Sequence, residues 1–125
     1  MNAKKNYHLG MLFLVHLLIN VDGELDESER AALATIVEKE NIPSELYESF
    51  AKEVSTISER ERYQRGIQLL NKCNDEEKLS ALVHLYHLSE ADGRVHVKEV
   101  RLLLYSIKMV GVEFNDVVAR AKATA

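Results

Sequence analysis

Two short acidic segments, seventy positions apart, carry the residue types that bind metal ions. Asp22 is followed by a glycine and, seven positions further on, by Glu29. Asp92 is likewise followed by a glycine and, at the same spacing, by Glu99. Carboxylate oxygens that border a tight turn are ligands that calcium and similar divalent cations prefer. The sequence therefore predicts a candidate divalent-cation site made of Asp22, Glu29, Asp92 and Glu99.

A purely structural interpretation of the same segments is also open. Glycine after aspartate lets the backbone reverse sharply, and the aspartate side chain can hydrogen-bond its own turn. Asp26 can cap the following helix, with Glu29 as the second member of a capping box. His96 is a poorer cap at the matching position of the second segment, so Glu99 lacks this explanation. The two segments are therefore either cation ligands or well-formed corners.

The spacing also invites comparison with the calcium loop of an EF-hand. If Asp22 stood at position five of such a loop, Gly23 and Glu29 would fall on positions six and twelve, as that motif requires. However, Leu18 and Leu88 occupy position one, where an EF-hand has its first aspartate. The sequence therefore predicts acidic turns that are not EF-hands.

The elements that position these turns are predicted to be helices. Every long segment repeats its apolar residues with helical period, and no alternating β-branched segment competes. Capping boxes at Ser58 and Asn74, a helix stop at Pro43 and a terminating Gly111 set the boundaries. The predicted helices cover about 5–21, 26–41, 43–54, 59–72, 75–91, 97–110 and 115–122.

The chain is predicted to be one all-α domain, covering 1–125, that contains two pseudo-repeats. The segments of about 5–42 and 75–112 each contain a strongly apolar helix, an acidic turn and a more amphipathic helix. A length of 125 residues with 46% hydrophobic residues suits a single compact bundle of about seven helices. The two strongly apolar helices are expected to pack against each other, because each is apolar on nearly every side.

Charge and hydropathy narrow the classes of function. The formal net charge of −4 disfavours nucleic acid as the main partner. The most apolar stretch, 9–19, is too short to span a bilayer and is not followed by a signal-peptide cleavage site. A cytoplasmic location is therefore expected. Membrane association is expected only through a partner protein. A local basic strip for an anionic partner is a further interpretation, and its residues are Arg94, Lys98, Arg101 and Lys108.

Histidine and cysteine are the other side chains with potential chemistry. His84 and His87 lie three positions apart on the fifth helix and His16 lies on the first. They predict either a histidine cluster between these helices or histidines that form interhelical hydrogen bonds. The single Cys73 suits a reducing compartment and an unreactive, packed thiol. Because no nucleophile occurs with a recognisable base motif, neither an enzyme nor a small-molecule substrate is predicted.

Both turns resemble those of the TerB-like domains found in tellurite-resistance proteins and in some DnaJ-linked co-chaperones. The resemblance lies in the segments 17–29 and 88–99, above all in the run 91–93 and in Glu99, and it extends over nearly the whole chain. It implies an all-helical bundle of about seven helices in two pseudo-repeats, with metal bound by acidic residues of the two turns. It also implies a non-catalytic role in stress-response or membrane-associated assemblies.

The predicted function is therefore that of a small binding or scaffold module whose partner is another protein. A divalent ion, calcium or a similar one, is the predicted cofactor at the acidic turns. Two alternatives remain: a metal-dependent enzyme that uses the same carboxylates, and an interaction domain that needs no metal.

Overall fold

The computed structural model describes residues 5–19, 27–90 and 97–123, and within these ranges it contains seven α-helices and no strand. The helices are α1 (Lys5–Ile19), α2 (Glu27–Lys39), α3 (Ser44–Val54), α4 (Glu59–Leu70), α5 (Asp75–Glu90), α6 (Val97–Val110) and α7 (Phe114–Ala123). The all-α prediction is confirmed, with the helices in the predicted order. Small differences occur at helix ends, where α4 ends at Leu70 rather than at 72 and α7 begins at Phe114 rather than at 115.

Capping residues begin the helices that the sequence predicted them to begin. The Glu61 backbone N–H donates to Ser58 Oγ at 3.2 Å, at the start of α4. At the start of α5, the Glu77 N–H donates to Asn74 Oδ1 at 2.8 Å, and the Asn74 N–H donates back to Glu77 Oε1 at 3.3 Å. These bonds satisfy backbone donors that have no partner within the helix. Pro43 stands one residue before α3, as its N-cap, rather than within its first turn.

The ends of α2 and α6 match each other, as expected of two pseudo-repeats. Each helix is followed by a residue with positive φ, Asn41 at 51° and Gly111 at 85°. The next residue then bonds back to the helix. The Ile42 N–H donates to the Val37 carbonyl at 3.0 Å, and the Val112 N–H donates to the Ile107 carbonyl at 3.3 Å. Both bonds join equivalent positions, seventy residues apart. Left-handed residues at these positions satisfy the last helix carbonyls.

Helix α1 lies at the centre of the bundle and packs most extensively against α4. The two helices approach closely because Gly10 faces Gly66: a Cβ added at Gly10 would stand 3.1 Å from the Gly66 carbonyl oxygen and 2.9 Å from Leu70 Cγ. The fully buried side chains of the core come mainly from α1, α4 and α5. The largest of them are Phe13, Met11, Leu12, Leu14, Leu18, Leu70, Leu82 and Leu85.

The second apolar helix, α5, joins the remaining elements to this core. It packs against α1, as the sequence predicted, and also against α6 and α7. The α5–α7 contact includes an exposed ion pair in which the Arg120 guanidinium binds both carboxylate oxygens of Glu76. Since α6 also contacts α1 and α4, both halves of the chain contribute to one continuous hydrophobic core.

Candidate functional site

The four predicted cation ligands belong to the turns between α1 and α2 and between α5 and α6. Asp22 and Asp92 lie outside the described residues. Glu29 and Glu99 belong to the first turns of α2 and α6, and their side chains also lie outside the described part. The cation site therefore remains a prediction. The helices on either side of the two turns indicate where it would lie.

The helices that lead into the first turn and out of the second converge on one groove. Leu17 lies five positions before Asp22, and Leu102 lies ten positions after Asp92. Both leucines line the same groove, which has a volume of about 730 Å³. The fold thus brings to one region two chain segments that are separated by most of the sequence.

Polar side chains from α4 and α6 complete the described lining of this groove. The start of α4 contributes Ser58, Glu59 and Arg60, and α6 contributes Arg101. Two guanidinium groups and one carboxylate border the apolar floor formed by the leucines. The groove therefore combines an apolar surface with a net positive rim, a combination suited to an apolar ligand group next to an anionic one.

Tyr63 also lines the groove and carries an unusual hydroxyl group. Its Oη is buried, and among the described residues it has no hydrogen-bond partner. Burial, together with the nearby Tyr105, raises the pKa of the Tyr63 phenol. A buried hydroxyl without a partner costs free energy, about 1–3 kcal/mol by comparison with mutational series. A ligand atom that accepts from this hydroxyl would recover part of that cost.

A second polar cluster joins the end of α2 to α5 and to α1. His84 Nε2 lies 2.9 Å from Glu40 Oε1, and both side chains are mostly buried, at 16% and 17% exposure. Nearby, the Tyr7 and Ser80 hydroxyls are 2.9 Å apart. Glu40, Ser80, His84 and His87 line a small pocket of about 220 Å³.

The charges in this cluster follow from its hydrogen bonds. The bond from His84 lowers the pKa of the Glu40 carboxyl more than partial burial raises it. Burial raises the pKa of the Tyr7 phenol well above its usual value, so the Tyr7 hydroxyl is neutral at physiological pH. Glu40 is therefore an ionised acceptor between helices, and its charge-assisted hydrogen bond stabilises the packing of the α2 end against α5.

The predicted cluster of three histidines is wrong. His84 and His87 share the small pocket, but His16 lines a different one, of about 420 Å³, between α1, α2, α3 and α4. There, the His16 ring packs edge-on against Phe50 with centroids 5.8 Å apart. The helices α1 and α5 do meet, yet α5 turns its histidines toward the α2 end. The alternative prediction, an interhelical hydrogen bond, is confirmed for His84.

Other potential ligands within the described ranges do not gather into a metal site. No group of three or more His, Cys, Asp or Glu side chains with suitable geometry occurs among the residues that the structure describes. Cys73 is half-buried, its thiol donates to the Leu69 carbonyl at 3.5 Å, and burial raises its pKa. These features fit the predicted unreactive thiol.

Sequence comparison identifies the family. The family model described as "Tellurite resistance protein TerB" matches residues 8–122. The chain belongs to the TerB family. The match extends from within α1 to within α7 and includes both acidic turns, so the resemblance noted in the sequence is confirmed. Searches among curated proteins and among solved structures give no significant match.

Sequence reasoning alone missed the groove between α4 and α6. The mixed charges at the start of α4 look like a solvated helix face, and only the packing shows that Arg60 and Tyr63 line the same groove as Arg101. One signal was present, because Arg101 belongs to the basic strip noted in the sequence. Within the described ranges, no helix has both the length and the apolar character that crossing a bilayer requires.

Proposed function

We propose that this TerB-family protein is a non-catalytic binding module in which the two acidic turns hold a divalent cation and an adjoining surface binds a partner protein. The match to the family model described as "Tellurite resistance protein TerB" supports a role related to tellurite resistance. The cation, its ligands and the partner are the parts that we propose. A role in a stress-response assembly within the cytoplasm is consistent with this proposal.

One observation carries the cation part of the proposal: Leu17 and Leu102 line the same groove although Asp22 and Asp92 are seventy positions apart. Convergence of the flanking helices supports one site shared by the two turns over two independent sites. The donor set fits a hard cation, since calcium and magnesium bind carboxylate oxygens. Asp22 and Glu29 from one turn, with Asp92 and Glu99 from the other, would supply these oxygens.

A bound cation would act structurally. Four carboxylates close together repel one another, and a divalent ion between them removes that repulsion. The ion would also join the α1–α2 corner to the α5–α6 corner. Because α6 forms one wall of the groove, this link would hold the groove in one shape and so control the surface presented to a partner. Binding to the folded state alone would also raise the stability of the protein.

Isothermal titration calorimetry with calcium, magnesium, manganese and zinc tests the cation site. We expect binding to the wild type and loss of at least about tenfold in affinity in the Asp22→Asn, Asp92→Asn double variant. Glu29→Gln and Glu99→Gln should each weaken binding as well. The matched control is Glu45→Gln, Glu113→Gln, which removes two exposed carboxylates outside the turns and outside the groove lining and should leave affinity unchanged.

Equal affinities in the wild type and in the Asp22→Asn, Asp92→Asn variant would show that the turns are structural corners only. No binding at millimolar concentrations of all four ions would remove the cation from the proposal. In that case the metal-free interaction domain would remain, and partner binding should then be the same with and without a chelator.

The groove also favours a second candidate, a metal-dependent enzyme that uses the same carboxylates. Arg60 and Arg101 beside the converging helix ends could bind an anionic substrate such as a phosphate ester. Hydrolysis of a chromogenic phosphate monoester and a diester, in the presence of manganese or magnesium, tests this candidate. A rate that exceeds the buffer rate and is lost in the Asp22→Asn, Asp92→Asn variant would support it. A rate equal to that of the variant would exclude it for these substrates.

A further inference from the structure

The outer face of α6 exposes large apolar side chains in a regular pattern. We use the term outer face for the five residues Arg101, Leu104, Tyr105, Lys108 and Met109. Leu104, Tyr105 and Met109 are 47%, 64% and 49% exposed. Their positions follow the spacing i, i+3, i+4, i+7 and i+8, which places all five on one side of a helix. Such a stripe usually packs against another element, and here it faces solvent.

Helix α4 runs beside α6 in the same direction, and a groove lies between the two helices. The outer face of α6 borders this groove. Near the starts of both helices, Arg60 and Arg101 line the groove together. At the ends, the Asn71 side-chain amide donates to the Met109 carbonyl at 3.4 Å. Between these points, Tyr105 lies near enough to Tyr63 to raise the pKa of its phenol. Two parallel helices side by side form a groove into which a third helix fits.

The outer face and the described lining of the groove carry a charge opposite to that of the chain as a whole. The protein has a formal net charge of −4. From Val100 to Val110, however, Arg101 and Lys108 are the only charged residues, and both are exposed. Arg60 adds a third cation on the α4 side, against the single carboxylate of Glu59 in the described lining. The outer face therefore complements an acidic partner.

The geometry points to an amphipathic, acidic helix of a partner protein as the occupant of the outer face of α6, beside the α4–α6 groove. This inference depends on the proposed function, because it states the chemistry of the partner that the module binds. The helix would lay leucine-type side chains on Leu104, Tyr105 and Met109 and turn carboxylates toward Arg101 and Lys108. The span from Arg101 to Met109 is about 12 Å, so two to three turns of the partner suffice.

The Tyr63 hydroxyl adds specificity to this interface. Its buried Oη is unpartnered among the described residues and lines the groove. Where docking opens the groove enough to expose this buried atom, a carboxylate or a helix-terminal carbonyl of the partner would accept its hydrogen bond. Tyr63→Phe should then weaken binding of the partner helix by about threefold to tenfold, while leaving the fold intact.

Selection from a peptide library followed by affinity measurement tests the inference. The probe is a displayed library of Ala-rich helical peptides of about 15 residues with randomised outer positions, selected on the wild-type protein. The best binder is then measured by fluorescence anisotropy on four variants. These are Arg101→Glu with Lys108→Glu, Leu104→Ser with Met109→Ser, Tyr63→Phe, and the control Lys52→Glu, which reverses an exposed charge on α3.

We expect the selected peptides to be amphipathic and rich in Asp and Glu. Both double variants should weaken the best binder by at least about tenfold, and Lys52→Glu should change its affinity by less than about twofold. A peptide with Lys in place of its acidic residues should prefer the Arg101→Glu, Lys108→Glu variant. All substituted side chains except Tyr63 are well exposed, so the variants should fold.

Three results would overturn the inference. The first is a selected set without acidic character, and the second is a binder whose affinity neither double variant changes. The third is a dimer of the wild-type chain in sedimentation velocity that both double variants dissociate, which would assign the outer face to a second copy. Calcium titration of the wild type keeps the proposals separate: a wild-type protein that binds calcium but selects no acidic helical peptide rejects the acidic helix alone.

Discussion

The two sides of the central helix α1 are built on different physical principles. Toward α4 the contact is apolar and limited by volume, since a Cβ at Gly10 would stand 2.9 Å from Leu70 Cγ. Toward α5 the apolar contact also contains hydrogen bonds, with Tyr7 bonded to Ser80 and, where α5 meets the end of α2, His84 bonded to Glu40. The α4 side is therefore limited by volume, and the stability of the α5 side also depends on hydrogen bonds.

The largest expected effect tests the volume limit. Gly10→Val places a branched side chain against Leu70 and the Gly66 backbone, and neither can withdraw without separating α1 from α4. Overpacking of this kind should lower the free energy of unfolding by about 2–3 kcal/mol. Urea denaturation measures the change. The matched control is Ala34→Val on the exposed face of α2, which should cost only a few tenths to about 0.6 kcal/mol. Equal costs at the two sites would mean that the α1–α4 crossing has free space.

The next largest effect tests the polar side. Glu40→Ala removes the acceptor of the His84 hydrogen bond in a site where both side chains are mostly buried. The expected loss of stability at pH 7 is about 1.5 kcal/mol. Glu40→Gln, which retains an acceptor oxygen without the charge, should lose less. If Glu40→Ala and Glu40→Gln lost equally little, the Glu40–His84 bond would not stabilise the junction.

The same junction should respond to pH, whereas the α1–α4 crossing should not. The folded-state pKa of Glu40 lies below the reference value of 4.5, chiefly because of the His84 hydrogen bond. Its ionised form therefore stabilises the fold fully above about pH 4.5, and this contribution is lost as pH falls through the folded-state pKa. The difference in stability between the wild type and Glu40→Ala should be full at pH 7 and should shrink at about pH 3. For Gly10→Val the difference should stay constant between these pH values.

A smaller effect is expected for the hydroxyl at the start of α1. Tyr7→Phe deletes the bond to Ser80 while keeping the ring, which is 3% exposed and packs in the core. A loss of about 1 kcal/mol is expected, because the Ser80 hydroxyl loses a partner. Tyr105→Phe is the control, since the Tyr105 side chain is 64% exposed, and it should change stability by less than about 0.5 kcal/mol. A Tyr7→Phe variant as stable as the control would show that the hydroxyl only fills space.

The smallest effect concerns neither side of α1 but the outer face of α6. Leu104→Ser should change the free energy of unfolding by less than about 0.5 kcal/mol, because the Leu104 side chain is 47% exposed. Thermal unfolding of this variant beside the wild type measures the effect. A loss above about 1 kcal/mol would show that Leu104 belongs to the core, and the proposed docking surface would then lack its apolar part.

Local patterns in the sequence predicted the helices well because each helix signals its own start and end. Ser58 and Asn74 cap α4 and α5 through bonds to residues three positions away, so short-range information is sufficient. Gly111 ends α6 for the same kind of reason, since its φ of 85° suits glycine. The predicted ligands Asp22 and Asp92 are also local patterns, but whether they share an ion depends on distances that no local pattern contains.

The sequence by itself determined the all-α class, the two similar halves, the capping residues and the membership of the TerB family. Only the tertiary structure decided which face of each helix meets which neighbour. Helix α1 is apolar on nearly every side, so hydrophobic periodicity cannot select its closest partner. Gly10 and Gly66 favour α4 because they allow the two helices to approach closely. For the same reason His16 and His84 lie in separate pockets, and Arg60 and Arg101 line one groove. Contacts between distant segments depend on how whole helices pack, and that packing is a property of the complete core.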